Sequence, residues 1–305
     1  MRTATLAMLA AFVAATPASA ADLGYDFLRG ADYDEPALAP VPLIDWSGFY
    51  IGGHGGYSNA SLGFKNVFQP MIFRESHDST AETELGASTL LNPASRRIGG
   101  GSYGAYAGVN FQYGDVVFGF EGDYTYASLT GRSIDSIGRF KTNALGLMEY
   151  VGLGGIASTR IEDYGTVRAR IGYAYGSFLP YVTGGFAIGR AQIADRVSYQ
   201  NYGYNLATFN ANQAQTTGNP AYVTNFGYVP GTFSQSNPSS GVPITTQLTQ
   251  HRSKTVAGFA LGTGLEYAVT PNIILRGEYQ YVLFDAFDGH KANVNTVRGG
   301  AAVKF

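Results

Sequence analysis

The sequence contains two short motifs that are typical of enzyme active sites. Residues 100–104 follow the G-x-S-x-G pattern of a hydrolase nucleophile, with Ser102 at the centre. Such a serine needs a sharp turn from a strand into a helix, whereas Ser102 opens a run of alternating residues. Residues 152–155, Gly-Leu-Gly-Gly, precede no helix whose N-terminus could bind a phosphate. We therefore predict no catalytic site and no enzymatic activity.

The histidines are the next candidates, because imidazole is a common metal ligand. No two of them are four residues apart, and they lie in separate segments of the chain: His54, His77, His251 and His290. Zinc binding would need these segments to converge. Because the chain has no cysteine, a thiolate metal site or redox site is also excluded. We predict no bound metal and no cofactor.

A third set of ionisable residues alternates with apolar residues. Two residues that are two positions apart on a strand point to the same face. The polar faces of the predicted strands carry four acids and five bases: Glu121, Asp123, Arg168, Arg170, Glu266, Arg276, Glu278, Arg298 and Lys304. What these charges do depends on the architecture that positions the faces.

Eight segments after Trp46 show the period-two alternation of β-strands. Each segment is about ten residues long, the length that a tilted strand needs to cross a bilayer. The segments are residues 49–58, 103–113, 116–126, 167–175, 181–189, 258–269, 273–283 and 297–305.

The connections between these segments alternate strictly between short and long. Tight turns are predicted at residues 113–115, 176–178 and 270–272, and long connections at 59–101, 129–163, 191–254 and 286–295. An antiparallel barrel that starts on the periplasmic side has all its short turns there and all its long loops outside. The sequence therefore predicts an all-β fold, an eight-stranded antiparallel transmembrane β-barrel with short periplasmic turns and long extracellular loops.

Two observations place the apolar face of the strands outward. The polar face is rich in glycine, which suits a narrow lumen. Aromatic residues of the apolar face also gather at both strand ends, as in the interfacial girdles of membrane barrels. Toward the outside they are Tyr103, Tyr124, Tyr126 and Tyr281, and toward the periplasm Tyr113, Tyr173, Tyr175, Tyr181, Tyr267 and Phe305.

The interior of an eight-stranded barrel is only wide enough to be filled by side chains. We therefore predict a buried ion-pair network in the lumen rather than an open channel. Its members are Glu121, Asp123, Arg168, Arg170, Glu266, Arg276, Glu278 and Arg298. The alternative, that some of these charges lie in water at a barrel mouth, stays open.

The N-terminal region differs in composition from the rest of the chain and lacks its alternation. Arg2, the apolar run 6–15 and the small residues 18–20 predict a secretory signal peptide over residues 1–20. Residues 21–45 are rich in Pro and Ala without periodicity and are predicted to form a periplasmic linker before the barrel domain, residues 46–305. The net charge of −2 argues against a nucleic-acid partner.

Three stretches resemble a known family. Residues 46–57, Trp-Ser-Gly-Phe-Tyr-Ile-Gly-Gly-His-Gly-Gly-Tyr, resemble the opening strand of the small outer-membrane barrels of alpha-proteobacteria, which are related to OmpA-like and opacity-protein barrels. Residues 275–281 and 297–305 resemble the last two strands of that family. The resemblance covers residues 46–305, apart from the loops. It implies a place in the bacterial outer membrane and, for Phe305, recognition by the barrel-assembly machinery.

The filled lumen and the long loops together predict a surface barrel with a structural or interaction role and at most a narrow pore. We expect it to contact outer-membrane lipids and lipopolysaccharide. A porin for small solutes is one alternative. Haemin binding, known in some relatives, is another, and His77, His251 and His290 are its candidate ligands because haem iron accepts His or Tyr. The third long connection, rich in polar uncharged residues, suits an extracellular ligand or a host protein.

Overall fold

The computed structural model describes residues 44–305. The predicted signal peptide and residues 21–43 of the predicted linker lie outside the described residues. No helix in residues 44–305 is long and apolar enough to span a membrane. The elements of this part of the chain are β1 (Gly48–Phe64), α1 (Gln69–Ser76), α2 (Thr80–Thr83), β2 (Arg96–Tyr113), β3 (Val116–Thr142), β4 (Met148–Tyr173), β5 (Phe178–Tyr204), α3 (Leu206–Ala214), β6 (Asn225–Phe226), β7 (Thr246–Ala268), β8 (Ile273–Phe284) and β9 (His290–Lys304).

Eight of these strands form a closed antiparallel ring. Each long strand pairs with the next one along the chain, and β9 pairs with β1. The two-residue strand β6 pairs only with the end of β5, so β5 has β4 and β7 as its neighbours in the ring. Closure gives every long strand two partners and leaves no open edge. The predicted eight-stranded antiparallel barrel is confirmed.

The alternation of residues decides which side chains enter the barrel. On β3, Phe118 and Phe120 are 48% and 61% exposed, whereas the neighbouring Glu121 is 1% exposed. On β7, Leu261 is 60% exposed and Glu266 only 2%. Apolar side chains therefore point outward and ionisable ones inward, which is the reverse of a soluble barrel.

Three tight turns connect neighbouring strands at one end of the barrel, at the predicted positions. In the β2–β3 turn Gly114 has φ +60°, and in the β4–β5 turn Gly176 has φ +57°. Glycine is favoured in such turns because it adopts a positive φ without steric cost. In the β7–β8 turn the Thr270 hydroxyl oxygen accepts a hydrogen bond from the Ile273 N–H at 3.0 Å.

The predicted long connections are wrong in their extent. β3 and β4 continue far beyond their predicted ends, so most of the connection predicted at residues 129–163 is a β-hairpin with a turn at residues 143–147. β5 and β7 extend in the same way into the connection predicted at residues 191–254. The outward positions of the β3 extension mix polar residues such as Arg132 and Ser136 with the exposed apolar residues Ile134 and Phe140. Neither face of this extension is uniformly apolar or polar, so the contrast that marks a membrane strand is weak there.

The strand extensions meet the barrel at a change of register. The β3–β4 pairing shifts between Tyr126 and Leu129, and the β4–β5 pairing shifts between Ile161 and Asp163. Ser128 lies at this point with φ +43°. Such bulges bend a strand and redirect its side chains. Four strands, β3, β4, β5 and β7, therefore continue past the barrel as a separate wall.

The first long connection packs into the barrel mouth. Pro70 lies in the first turn of α1, where its missing N–H costs no hydrogen bond. Phe68, Met71 and Ile72 are 0–3% exposed and join an apolar cluster with inward side chains of the strands, including Leu62. The mouth of the barrel is therefore filled by the chain itself, which the residue pattern does not predict.

Candidate functional site

The centre of the barrel contains a layer of eight charged side chains, and they are the eight predicted from the alternation of the strands. The four acids and four arginines carry formal charges that cancel. All are between 0% and 6% exposed, and they come from five strands: Glu121 and Asp123 from β3, Arg168 and Arg170 from β4, Glu266 from β7, Arg276 and Glu278 from β8, and Arg298 from β9. We call this set the ionic layer.

Three ion pairs of the ionic layer follow from strand register alone. Direct cross-strand neighbours have their side chains about 5 Å apart at Cβ and can pair. Glu121 is the register partner of Arg168, and their side chains meet at 2.7 Å. Glu266 faces Arg276 at 2.5 Å, and Glu278 faces Arg298 at 2.9 Å.

Other ion pairs cross the lumen. Arg168 on β4 reaches Glu278 on β8 at 2.5 Å and also contacts Asp123 at 2.9 Å. Arg276 on β8 reaches Glu121 on β3 at 2.6 Å. These contacts join opposite walls of the barrel, so the layer is one connected network and not a set of separate pairs.

Three tyrosines complete the network. The Tyr50 hydroxyl donates to Glu121 at 2.8 Å, and the Tyr181 hydroxyl donates to Glu278 at 2.8 Å. The Arg276 guanidinium lies over the Tyr106 ring, 4.1 Å from its centroid. Cation–π contacts of this kind are strongest when water is excluded.

The prediction that Tyr181 belongs to the aromatic girdle on the periplasmic side is therefore wrong. Tyr181 is 3% exposed and points into the lumen. The outward face of β5 carries Val182, Phe186 and Ile188, which are 53–67% exposed. These apolar residues at even positions are the signal that assigns Tyr181, at an odd position, to the interior.

Glycines make room for the tyrosine rings. A Cβ atom at Gly264 on β7 would lie 2.5 Å from the Tyr181 hydroxyl oxygen. A Cβ atom at Gly108 on β2 would likewise collide with the Tyr50 hydroxyl oxygen. Since any larger residue at these positions would collide with a ring, the glycine content of the inward face follows from what the lumen contains.

A second apolar cluster lies at the periplasmic end. Trp46 is fully buried, and its backbone N–H donates to the Gln112 side chain at 2.7 Å. Val117, Leu179 and Ile274 pack in the same cluster. Ile44 and Asp45, the last residues of the predicted linker, are also held here: Ile44 packs against the cluster, and the Asp45 carbonyl oxygen accepts a hydrogen bond from Lys304. The ionic layer is thus enclosed between two apolar clusters.

The histidines proposed as haem ligands are not brought together. His77 is exposed at the end of α1, and His251 lies on the outward face of β7. His290 is fully buried inside the barrel, with Nδ1 2.7 Å from the Thr159 hydroxyl and Nε2 3.0 Å from Asp195. Between residues 44 and 305 there is no group of three or more His, Asp or Glu side chains arranged to hold a metal.

The two enzyme-like motifs have structural roles. Ser102 is buried, and its hydroxyl accepts a hydrogen bond from Ser58 at 2.9 Å. In the second motif, Gly155 lies on β4 beneath the Phe68 ring, where an added Cβ would be 2.5 Å from the ring edge. Both motifs therefore serve close packing within the barrel.

Ion pairs also attach two of the extracellular connections to neighbouring strands. Asp288, between β8 and β9, pairs with Lys254 at 2.7 Å and Arg252 at 3.0 Å on β7. The hydrogen bond from Lys254 is the main cause that lowers the pKa of Asp288. The backbone N–H of Ala144 donates a hydrogen bond to the Glu84 carboxylate and lowers its pKa. Lys141 forms an ion pair with the same carboxylate, so both contacts connect the first connection to the β3–β4 hairpin.

Comparison with known proteins agrees with this architecture. The family model described as "Outer membrane protein beta-barrel domain" matches residues 4–305. A 31 kDa outer-membrane immunogenic protein of Brucella melitensis biotype 1 is 30% identical, and the alignment covers 100% of both chains. A 22 kDa outer membrane protein of Rhizobium leguminosarum bv. viciae is 24% identical over 88% of this chain and 82% of the relative.

Two solved structures are also similar. The Neisserial surface protein A has a TM-score of 0.31 and 15% identity, with 85% of this chain and 98% of that one covered. Ail, the attachment invasion locus protein of Yersinia pestis, has a TM-score of 0.31 and 12% identity, with coverage of 85% and 99%. Because the family model matches residues 4–305 and a relative is 30% identical over its full length, this chain belongs to the outer membrane protein β-barrel family. It is an integral protein of the bacterial outer membrane.

Proposed function

We propose that the protein is a closed, non-enzymatic surface barrel that conducts no solutes and presents an extracellular wall for interactions. The observation that carries the proposal is the ionic layer. A water-filled channel would leave such side chains hydrated, yet Arg168 and Glu121 are 0% and 1% exposed. Their guanidinium and carboxylate groups bond to one another and occupy the space that a solute would need.

The two apolar clusters support closure at both ends. The extracellular cluster contains Phe68 and Ile72 from the first connection, and the periplasmic cluster contains Trp46 and Leu179. A solute would have to displace three successive layers of packed side chains. Packed interiors of this density leave few voids larger than a water molecule.

The proposal of a non-enzymatic role rests on access. The arrangement nearest to a catalytic constellation is Thr159, His290 and Asp195, which are linked by hydrogen bonds. All three are at most 1% exposed. A substrate could not reach the Thr159 hydroxyl without opening the barrel, so we assign these residues to the stability of the extracellular half.

The extended wall supports an interaction role. β3, β4, β5 and β7 rise past the barrel and carry the third connection, residues 205–245, at their end. An aromatic cluster near the end of the wall holds that connection, with the Tyr202 and Tyr228 rings 5.2 Å apart and Tyr228 and Phe233 4.9 Å apart. A rigid scaffold that presents long loops is the usual arrangement of binding surfaces.

Planar-bilayer recording tests the closed lumen. Refolded full-length protein should give no stable conductance steps under conditions in which a porin control gives clear ones. Liposomes that contain the protein should also exclude small sugars in a swelling assay. Regular steps from the wild-type protein, together with swelling in sugar solutions, would show an open pore and refute the proposal.

A further inference from the structure

A buried carboxylate on the inner face of the extended wall forms no ion pair in the described part of the chain. Glu149 on β4 is 0% exposed and is the register partner of Lys141 on β3. Lys141 instead pairs with Glu84 of the first connection at 3.1 Å. Arg139, two residues before Lys141, is exposed and donates only to the Gly138 carbonyl oxygen. The charge of Glu149 is therefore not balanced by a basic side chain of β3.

Hydrogen bonds fix the orientation of this carboxylate. Its Oε2 atom accepts from the Thr80 hydroxyl of α2 at 2.5 Å and from the Asn143 side chain, in the β3–β4 turn, at 2.9 Å. The Oε1 atom is buried and has no hydrogen-bond donor within residues 44–305. Because a buried charge without a partner is costly, this oxygen needs a donor or a cation.

A second buried oxygen without a donor lies on the neighbouring strand. Asn201 on β5 is two residues from Gly203, the register partner of Glu149, so the two side chains share the inner face. Diagonal neighbours of this kind are within reach of long side chains. Among the described residues, none donates to the buried Oδ1 atom of Asn201. Two acceptor oxygens cannot satisfy each other, whereas one cation can contact both.

The charge around these oxygens is negative. Tyr199 lies two residues before Asn201 on the same face of β5. Burial raises the pKa of Tyr199, and the negative charges of Glu149 and of Glu75 on α1 raise it further. Two carboxylates therefore act on one small region of the wall, and a cation is favoured there.

The chemistry of the two oxygens selects the cation. Ca²⁺ takes oxygen ligands in flexible geometry, including carboxylates, Asn carbonyl oxygens and water. Mg²⁺ demands near-ideal octahedral geometry and gives up its water reluctantly, so it suits such a site less well. One carboxylate is typical of a weak site, and extracellular calcium modules have dissociation constants of about 0.1–1 mM.

We propose that Glu149 Oε1 and Asn201 Oδ1 bind a Ca²⁺ ion between β4 and β5, with water as its remaining ligands. The site needs only one carboxylate, so it does not depend on a cluster of acids. Because Thr80 and Asn143 bind the same carboxylate, the ion also stabilises the contact of α2 and the β3–β4 turn with the wall. The inference concerns the extracellular half and does not depend on whether the lumen conducts.

Calcium titration of the purified protein tests the proposal. Full-length protein is refolded in a non-ionic detergent without lipopolysaccharide, whose phosphates would bind Ca²⁺, and is titrated with CaCl₂ in a calorimeter. Wild type should show saturable binding with a dissociation constant of about 0.1–1 mM. Glu149→Gln keeps the size of the side chain but removes its charge, and should weaken binding about tenfold or more.

Glu162→Gln is the matched control, because it makes the same change on the same strand. The Glu162 carboxylate faces outward, where it accepts from Gln192 at 2.9 Å. This variant should bind Ca²⁺ as wild type does. Asn201→Ala should weaken binding as Glu149→Gln does, and it tests the site independently if Glu149→Gln does not refold. Each variant is folded if its gel migration differs before and after boiling.

Amide exchange gives a second readout. Ca²⁺ should slow the exchange of α2 in wild type and in Glu162→Gln, and should have no effect on it in Glu149→Gln. A wild-type protein with no saturable binding up to about 10 mM Ca²⁺, well above the range of extracellular sites, would overturn the proposal. Equal affinities of wild type and Glu149→Gln would overturn it as well. Displacement of Ca²⁺ by an equal concentration of Mg²⁺ would overturn the choice of calcium.

Discussion

At the scale of single residues, the ionic layer depends on complete pairing. A buried charge is costly to remove from water, and only close partners of opposite sign offset that cost. Glu121 has three arginines within 4 Å: Arg168, Arg170 and Arg276. Because each member has two or three partners, deleting one side chain leaves the layer with a net buried charge and weakens the pairing of two or more of its neighbours.

Arg276→Ala tests this dependence. The substitution removes the closest contacts of Glu121 and Glu266, at 2.6 and 2.5 Å, and leaves both carboxylates inside the barrel. We expect a loss of about 3–5 kcal/mol in the free energy of unfolding, and a comparable loss for Glu121→Ala. The measurement is a denaturant titration that follows Trp46, the only tryptophan of the chain and fully buried.

Arg139→Ala is the matched control for this titration. Arg139 is exposed, and its guanidinium contacts only the carbonyl oxygen of Gly138. Its unfolding midpoint should stay within experimental error of wild type. Equal midpoints for Arg276→Ala and Arg139→Ala would mean that the ionic layer adds nothing to stability.

At the scale of elements, the barrel mouth is closed because α1 packs against strands with room for its side chains. Phe68 sits over Gly155 on β4, and Leu62 on β1 sits over Gly131 on β3. Two large residues of the mouth thus each meet a glycine of the wall. The glycines of the extracellular half therefore serve packing, as those of the lumen do.

Gly155→Ala should loosen α1. The added methyl group would lie 2.5 Å from the Phe68 ring, and overpacking of this kind costs about 1–3 kcal/mol. Amide exchange of residues 69–76 should accelerate, and the double variant Gly155→Ala with Phe68→Leu should recover slow exchange. Gly101→Ala, whose Cβ meets no atom within 4 Å, should leave exchange unchanged. Faster exchange without rescue by Phe68→Leu would count against the contact.

The fourth connection is held by a pH-dependent contact. Lys254 and Arg252 lower the pKa of Asp288 in the folded protein. A carboxyl with a depressed folded pKa stabilises the fold above its unfolded pKa, and the stabilisation is lost as the pH falls through the folded pKa. The contact between the β8–β9 connection and β7 is thus complete at neutral pH and weakens in acid.

An NMR titration of the Asp288 carboxyl measures this effect directly. Its midpoint should lie below the usual range for aspartate in wild type and move upward in Lys254→Ala. Because Lys254 and Arg252 are partly exposed, the upward shift should shrink at high salt. The same midpoint in both proteins would show that Lys254 does not act on Asp288.

At the scale of the whole molecule, closure of the ring joins the two ends of the barrel domain. The Phe305 N–H donates to the Phe49 carbonyl oxygen at 2.8 Å, and the two rings lie 6.2 Å apart. The Phe305 ring is 72% exposed, so it adds little to the folded barrel. A terminal aromatic residue with so little packing suits recognition during assembly.

Phe305→Ala separates assembly from stability. We expect the refolded variant to unfold at the wild-type midpoint, because the lost ring is mostly exposed. In cells we expect less heat-modifiable protein in the outer-membrane fraction, with Phe305→Tyr close to wild type. A refolded Phe305→Ala barrel that is strongly destabilised would assign the ring to the fold instead of to assembly.

The sequence by itself determined the fold, because period-two alternation and the order of short and long connections depend only on neighbouring residues. It also selected the eight members of the ionic layer, since the period-two alternation of side chains along a strand places each charge on the polar face. Tyr181 was assigned to the wrong face because several glycines in residues 181–189 obscure the alternation, although Val182, Phe186 and Ile188 mark the outward face. For the extensions of β3 and β4, polar and apolar residues are mixed on the outward face, which weakens the contrast on which strand prediction depends.

Only the tertiary structure decided which side chains meet across the barrel. The contacts of Arg168 with Glu278 and of Phe68 with Gly155 join residues 110 and 87 positions apart, and no local pattern encodes such separations. Local alternation is a property of adjacent residues, whereas pairing across a lumen depends on closure of the whole ring.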